Sequence, residues 1–283
     1  MKLTPRRLTA FVVAIFVVAI GANAQKLKPE EVVAKHLDSI ADAEKRTALK
    51  TFISVGDVRV TNITRKLPPS VGRVVLASAA NKSFVGMNLN SNDNPSEKIV
   101  FNGKDVRIDF TLPGARSILG NLLQSNQRMV EDGLFSGALS TNWAMMQLAS
   151  RNAKISSEGS KKINGVETYA VKYSPKGGSD YDITMYFEAS TFRHIRTEYK
   201  RTASAAMGIT IDQSARQSET RIRITEDYSD FKAVDGYTFP HKYKMLYSIA
   251  GQNGTTEVSW EFDLLEFAVN RPMDDATFAI DAK

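Results

Sequence analysis

The residue types that carry catalysis or bind metals are few and widely spaced in this sequence. The three histidines, His36, His194 and His241, lie far apart, and the chain has no cysteine, so neither a thiol nucleophile nor a thiolate metal site can form. Glu226 and Asp227 are adjacent carboxylates, but neighbours on a strand face opposite sides and cannot share one proton. The sequence has no nucleotide-binding glycine loop, no Gly-x-Ser-x-Gly elbow and no His-Glu-x-x-His motif. We therefore expect no catalytic residue, no metal and no cofactor, and a protein that is not an enzyme.

The charge pattern excludes nucleic acid as a partner. Removal of the basic N-terminal segment described next lowers the formal net charge from +6 to +3. The remaining acidic and basic residues are interspersed, which is typical of the solvated face of a sheet. A nucleic-acid-binding surface would require a clustered basic stripe with aromatic side chains, and none is present.

The N-terminus has the three parts of a secretory signal peptide. Basic residues within the first seven positions precede an apolar run over 8–20, and the small residues Ala22 and Ala24 follow. This pattern predicts cleavage between Ala24 and Gln25. The alternative, a membrane anchor, would need about 20 apolar residues. Since disulfides are usual in secreted eukaryotic domains, a cysteine-free exported chain indicates the bacterial periplasm.

Alternation with a period of two dominates the chain after residue 51 and predicts strands. In the runs 181–188 and 257–264, apolar and polar side chains alternate, so one face of each strand is expected to be buried and the other solvated. Dipeptides that favour tight hairpins separate the strand-like runs. They are Asn102-Gly103, Asn164-Gly165, Asp235-Gly236 and Asn253-Gly254.

Two helical segments interrupt this pattern. A helix is predicted to begin at Pro29 and to run to about Lys50, because apolar residues recur there at helical spacing. A helical insert is predicted at about 115–150, where alternation stops, with Gly133 and Gly137 between two stretches. No linker, repeat or low-complexity tract divides residues 25–283, so we expect a single domain, mainly β (α+β).

The apolar faces of the sheet and the insert suggest a ligand cavity. Met fills irregular or changing volumes easily, and the insert is rich in Leu and Met. A 16-carbon chain would gain roughly 12 kcal/mol, gross, from burial at about 0.8 kcal/mol per CH₂. The alternative is that these side chains simply form a filled core. The residues predicted to line the cavity are Ile183, Met185, Val258, Trp260 and Phe262 from the sheet, and Leu119, Leu122, Trp143 and Met146 from the insert.

Two segments resemble exported bacterial proteins of the outer-membrane lipoprotein-sorting (LolA-like) group. One is the N-terminal run from Pro29 to Leu37. The other, from Ile224 to Tyr243, contains DYSDFKAVDGYTFPHKY and is the more specific of the two. The resemblance implies a curved antiparallel half-barrel with an N-terminal helix and helices that plug its open side. It also implies a role in carrying lipoprotein acyl chains, in binding other lipids, or in sensing envelope stress.

The leading hypothesis is a monomeric periplasmic protein that binds a lipid or the acyl chain of a lipoprotein without catalysis. The first alternative is an interaction or sensor domain with a filled core and an envelope protein as its partner. An outer-membrane barrel is disfavoured, because the alternating runs last four to seven residues and a spanning strand needs about 9–11. A hydrolase is disfavoured because no pair of nucleophile and base is evident.

Overall fold

The computed structural model describes residues 27–91, 96–110, 117–204, 219–252 and 254–280. The predicted signal peptide over 1–24 lies outside these residues. Most of the polar stretch between Thr202 and Ser218 lies outside them as well.

Twelve antiparallel strands form one sheet in the described part of the chain. The sheet is curved and is not closed into a barrel, which confirms the predicted half-barrel. The strands are β1 Thr51–Asn62, β2 Ser70–Ala79, β3 Lys82–Leu89, β4 Ser96–Phe101, β5 Val106–Phe110, β6 Lys154–Ile163, β7 Val166–Ser174, β8 Asp182–Glu188, β9 His194–Ala203, β10 Thr220–Val234, β11 Tyr237–Gly251 and β12 Gly254–Val269.

The first and last strands meet in the middle of the sheet. The order is β5-β4-β3-β2-β1-β12-β11-β10-β9-β8-β7-β6, so β5 and β6 form its two edges. Consecutive strands are neighbours except at β5 and β6, between which the insert lies in the sequence. The Asn-Gly and Asp-Gly pairs at positions 102, 164 and 235 connect neighbouring strands, as predicted. Asn253 lies outside the described residues.

Five α-helices are described: α1 Pro29–Ile40, α2 Ala43–Ala48, α3 Ile118–Ser125, α4 Gln127–Glu131 and α5 Leu148–Arg151. Three short 3₁₀ turns accompany them, at Gly137–Leu139, Ala144–Gln147 and Asp275–Phe278. The residues from 117 to 151 form the predicted helical insert and are called the insert below.

The single helix predicted from Pro29 to about Lys50 is in fact two helices. The first ends at Ile40, and the Asp42 side chain accepts a hydrogen bond from the Lys45 amide at 2.8 Å, which caps the second helix. Aspartate is a preferred N-cap residue, so it favours a new helix start over continuation of the first. The buried residues of α1 include Val33 and His36, which pack towards the sheet.

Two glycines hold neighbouring strands at close approach near the centre of the sheet. A Cβ atom on Gly56 of β1 would lie 2.1 Å from the carbonyl oxygen of Asp263 in β12. A Cβ atom on Gly72 of β2 would lie 1.8 Å from the carbonyl oxygen of Asn88 in β3. The β1–β12 register shifts at Gly56, and such bulges bend strands. These glycines therefore contribute to the curvature that makes one face concave.

The outer face of β8 is not solvated, in contrast to the prediction from alternation. Tyr186 is only 2% exposed and Thr184 is 9% exposed, although both were expected to meet water. The Tyr186 hydroxyl donates to Glu198 at 3.3 Å, and Glu198 is also paired with Arg223 at 2.6 Å. The outer side chains of neighbouring strands thus cover each other in a polar cluster, which alternation within one strand cannot predict.

The close approach at Gly56 gives a prediction for stability. We expect Gly56→Ala to lower the free energy of unfolding by about 2 kcal/mol or more, because the added Cβ would press on rigid backbone. Gly251→Ala is the matched control, since its Cβ would make only an ordinary contact with Thr220 at 3.5 Å. Urea unfolding of both variants measures the difference, and equal losses would contradict the proposed role of Gly56.

Candidate functional site

The side chains predicted to line a cavity all lie in one continuous apolar core. Met146 is half-buried, and the other eight are buried. The buried eight are Ile183, Met185, Val258, Trp260, Phe262, Leu119, Leu122 and Trp143.

These residues do not converge on one point. Strand β8 carries Ile183 and Met185, whereas Trp260 and Phe262 belong to β12, and three strands lie between β8 and β12. Four inter-strand spacings correspond to about 19 Å along a flat sheet. Helix α3, which carries Leu119, packs near the opposite edge on β5. The predicted set therefore spreads across the concave face from one wing of the sheet to the other.

Little free space lies between the sheet and the central part of the insert where described residues enclose it. One cavity of about 50 Å³ lies between β2, β3 and the insert, and its lining includes Leu76, Phe84 and Phe135. Another of about 10 Å³ lies beside His36 and Tyr228. Ligand sites usually measure about 300–1,000 Å³. Neither cavity can hold an acyl chain unless the insert moves.

Polar contacts at Ser117 and Thr141 hold the insert to the β2–β5 wing of the sheet. The Ser117 hydroxyl donates to Glu97 of β4 at 2.5 Å, just before α3 begins. The Thr141 amide donates to the Ser78 hydroxyl of β2 at 2.9 Å, and the Thr141 hydroxyl donates to the Ala80 carbonyl at 3.0 Å. Burial raises the pKa of Glu97. These contacts fix both ends of the central part of the insert.

The opposite wing holds the insert through the buried carboxyl group of Glu226 in β10. The Ser136 amide of the insert donates to Glu226 Oε1 at 2.8 Å, and the Tyr243 hydroxyl donates to the same oxygen at 2.6 Å. The Tyr199 hydroxyl lies 2.6 Å from Glu226 Oε2 and 3.0 Å from the Leu134 carbonyl oxygen. The insert and three strands thus share one hydrogen-bond network.

Proton counting favours the neutral form of Glu226. The Tyr199 hydroxyl has one proton and faces two acceptors, Glu226 and Leu134. A protonated carboxyl group would donate to Tyr199 and free that hydroxyl to donate to Leu134, so both contacts of the Tyr199 hydroxyl would be hydrogen bonds. Burial also raises the pKa of Glu226, although the hydrogen bonds that it accepts oppose this shift.

Two histidines that are distant in the sequence meet beneath the insert. Their ring centroids lie 6.0 Å apart, and the indole of Trp143 stacks on His194 at 4.9 Å. The Trp143 indole N–H donates to His36 Nε2 at 3.1 Å, and His36 Nδ1 lies 3.1 Å from the Phe192 carbonyl oxygen. His36 is therefore a neutral imidazole that carries its proton on Nδ1.

Burial keeps both imidazoles uncharged at neutral pH. It lowers the pKa of His36 to about 4, against the opposing effect of the Phe192 carbonyl. Burial also lowers the pKa of His194 well below its usual value. Both ring nitrogens of His36 are engaged, and the described residues contain no group of three His, Asp or Glu side chains arranged to bind a metal ion. The pair anchors the insert to α1 and β9.

The sequence prediction missed Glu226, Tyr199 and Tyr243 as parts of the site. One signal was available. The inward phase of β10 reads Ile222, Ile224 and then Glu226, so a carboxyl group stands where the pattern requires an apolar side chain. The hydrogen-bond partners of Glu226 come from distant parts of the chain and gave no local signal.

A recess of about 510 Å³ opens where the insert meets the β7–β8 turn. Its lining includes the buried side chains of Met129, Leu134 and Tyr181, which belong to the same core as the predicted cavity residues. Arg128 of α4 reaches across it and donates to the Gly177 carbonyl at 3.4 Å, a long and weak bond. The recess therefore leads from solvent to the apolar side of the insert.

A second space, an open groove of about 800 Å³, crosses β1, β2, β11 and β12. Its lining side chains on the outer face are mainly charged, with ion pairs Arg73–Asp57 and Lys244–Glu261. Of the predicted cavity residues, Phe262 borders this groove, but its side chain is buried. The charged side chains of this groove lie on the face of the sheet opposite to the buried side chain of Phe262, so the groove lies outside the predicted cavity.

Comparisons with known proteins identify the fold. No family model and no curated protein matches the sequence. The chain is similar to the crystal structure of a LolA superfamily protein from Nitrosomonas europaea, with a TM-score of 0.50 and 15% identity over 90% of this chain and 98% of that one. The chain thus has the LolA-like fold that its two sequence segments indicated.

Two further solved structures give lower scores. A domain from Vibrio parahaemolyticus, assigned to outer membrane lipoprotein sorting, has a TM-score of 0.40 at 12% identity over 87% of this chain and 97% of that one. A DUF1329 family protein from Desulfovibrio piger has a TM-score of 0.41 at 10% identity over 88% and 96%. Among the described residues, no helix has the length and apolar character needed to cross a membrane.

The hydrogen-bond network of Glu226 predicts that two substitutions of this residue differ in their effect on stability. We expect Glu226→Gln to keep the network, because an amide can accept from Ser136 and Tyr243 and donate to Tyr199. We expect Glu226→Leu to lower the free energy of unfolding by about 3 kcal/mol or more, because it leaves the Ser136 amide and the Tyr243 hydroxyl without their acceptor.

The same pair of proteins tests the direction of the pKa shift. A raised pKa means that the folded state keeps its proton where the unfolded state has lost it, so wild type loses stability as pH rises above the ordinary value of 4.5. Glu226→Gln does not titrate. Its stability relative to wild type should therefore increase from pH 4.5 to pH 8, as measured by urea unfolding, and a constant difference would contradict a raised pKa.

Proposed function

We propose that this chain is a non-catalytic, exported protein that binds an apolar chain, such as the acyl chain of a lipid or lipoprotein, between the concave face of its sheet and its insert. The observation that carries the proposal is the covering of an apolar, unclosed sheet by an insert held at a few polar points. The LolA-like fold supports the architecture, and the ligand is our inference. The predicted signal peptide supports a periplasmic location.

The energetics of displacing the insert are compatible with binding. A typical hydrogen bond contributes about 0.5–1.5 kcal/mol net, so each of the contacts at Ser117, Ser136, Thr141 and Trp143 holds the insert by about this amount. A 16-carbon chain gains roughly 12 kcal/mol, gross, on leaving water. A ligand that replaces the apolar contacts of the insert can therefore offset the loss of these bonds.

The recess at the β7–β8 turn is the proposed entrance for the ligand. Its volume of about 510 Å³ lies within the range of ligand sites, and its lining includes the buried Met129 and Leu134. A chain inserted there would lie against α4 of the insert before it reached the sheet.

A second candidate function is an interaction or sensor domain with a filled core and a partner protein of the envelope. The cavities of about 50 and 10 Å³ beneath the insert favour it. The hydrogen bonds at both ring nitrogens of His36 also favour it. If the insert opened often, these buried groups would repeatedly lose their partners. This candidate predicts no binding of acyl probes.

A reversible covalent lock separates the two candidates. The Thr141 amide lies 2.9 Å from the Ser78 hydroxyl, so their Cα atoms are at most about 7 Å apart, near the limit that a disulfide spans. In the cysteine-free chain, the double variant Ser78→Cys/Thr141→Cys would tie the insert to β2. We expect the oxidised form to bind a fluorescent fatty acid at least about tenfold more weakly than the reduced form.

The reduced form of the same protein and the two single variants are the controls. Equal binding by oxidised and reduced protein would show that the ligand does not require the insert to leave β2. Absence of binding in both forms and in wild type, together with native mass spectra free of lipid, would reject the acyl-binding proposal and favour the interaction domain.

The proposed entrance is tested with a bulky side chain. Ser125 is exposed at the end of α3 and borders the recess, whereas Asn121 is exposed one turn earlier on the same helix and does not. We expect Ser125→Trp to slow association of the fluorescent fatty acid about fivefold or more, because access to the site is narrowed. Stopped-flow fluorescence measures the rates, and an equal effect of Asn121→Trp would remove the recess as the entrance.

A further inference from the structure

An exposed apolar and basic tip connects β1 and β2. Five large apolar side chains in the described part of the chain are strongly exposed, and three of them lie within nine residues: Ile63 at 43%, Leu67 at 48% and Val71 at 42%. Single exposed apolar residues are common, but three in one turn and the start of the following strand indicate a surface that another body covers. We call residues 63–71 the β1–β2 tip.

The tip also carries a positive charge. Arg65 and Lys66 are exposed between Ile63 and Leu67, and the sequence has no acidic residue between Asp57 and Asp93. Glu257 of the neighbouring strand β12 adds one negative charge, and its amide donates to the Thr64 hydroxyl of the tip. With Arg65 and Lys66 on the tip, the local charge stays positive.

The tip is held in shape by its neighbours, so its exposure is not the result of a loose loop. The Thr64 hydroxyl donates to the Thr255 carbonyl at 3.1 Å and accepts from the Glu257 amide at 2.7 Å. The Arg65 amide donates to the Asn62 side chain at 3.0 Å. Two prolines, Pro68 and Pro69, restrict the backbone beyond Leu67. A rigid loop that keeps large apolar side chains in water is pre-organised for contact.

The position of the tip favours a lipid surface as its occupant. Because all strands are antiparallel, the end of the sheet at which β1 meets β2 is also the end at which β7 meets β8. The recess of about 510 Å³ opens at that β7–β8 turn. A membrane contacted by the tip would therefore lie on the side of the sheet from which the recess is entered.

We propose that the β1–β2 tip docks on an anionic lipid surface, with Ile63 and Leu67 entering the interface and Arg65 and Lys66 contacting the headgroups. Exposed apolar side chains with adjacent basic residues are the combination that binds such surfaces. The choice of a membrane rests in part on the proposed lipid-binding function, whereas vesicle binding is measured independently of it.

The test uses protein recovered from the periplasm after expression of the full chain, with its mass measured, and vesicles of phosphatidylcholine with or without phosphatidylglycerol. We expect co-sedimentation with the anionic vesicles that weakens as salt is raised. The double variants Ile63→Ser/Leu67→Ser and Arg65→Gln/Lys66→Gln should each raise the lipid concentration at half-maximal binding by about tenfold or more. A retained N-terminal segment would shift all variants alike.

The matched control is Val166→Ser/Leu265→Ser, which removes the two other exposed apolar side chains, 37% and 53% exposed. This control should bind vesicles as wild type does. Three results would overturn the proposal: no binding by wild type, equal weakening by the control, or tip-dependent dimers in place of vesicle binding. Fatty-acid binding in solution should be unchanged by the tip variants. If wild type binds anionic vesicles through the tip but binds no fatty acid, the proposed function fails and the docking proposal stands.

Discussion

The unclosed sheet imposes one requirement on the rest of the structure: its apolar concave face must be covered. A closed barrel fills its own interior and a sandwich uses a second sheet, whereas here the insert and α1 provide the cover. In the sequence, the insert follows β5, the strand at one edge of the sheet, and precedes β6, the strand at the other edge. Its position between the two edges allows it to contact both wings of the sheet.

Polar contacts decide how firmly this cover is held. Glu97 and Glu226 are buried carboxyl groups at which the insert meets the sheet, and His36 joins the insert to α1. Burial shifts the pKa of each group towards its neutral form, so these contacts avoid the large cost of buried charge. Such hydrogen bonds fix one register of the insert, and apolar packing alone would specify it less sharply. A cover built in this way is well defined when closed and separable at a few identifiable points.

The sequence predicted the elements of this fold better than its contacts. Alternation and Asx-Gly dipeptides are local signals, and they located the strands, the hairpins and the insert. The interruption at Asp42 was missed because capping by one side chain outweighed a continuous apolar stripe. The meeting of His36 with His194, and of Ser136 with Glu226, depends on how a curved sheet brings distant segments together. The nine residues predicted to line a cavity lie in or against the apolar core, and their contact with a ligand stays a prediction. Their hydrogen-bonded neighbours could be found only from the three-dimensional structure.

The arrangement of the two ends of the sheet links ligand access to a surface. The antiparallel order places the β1–β2 and β7–β8 turns at the same end. One turn exposes Ile63 and Leu67, and the other borders the recess. The side chains of Glu226 and His36, which hydrogen-bond to the insert, are buried beneath it. A ligand that arrived from a membrane at this end would meet the weakly bridged recess near Arg128 before it met the firmly bonded centre. Opening would then begin with the long Arg128–Gly177 bond, and the curved sheet would remain intact.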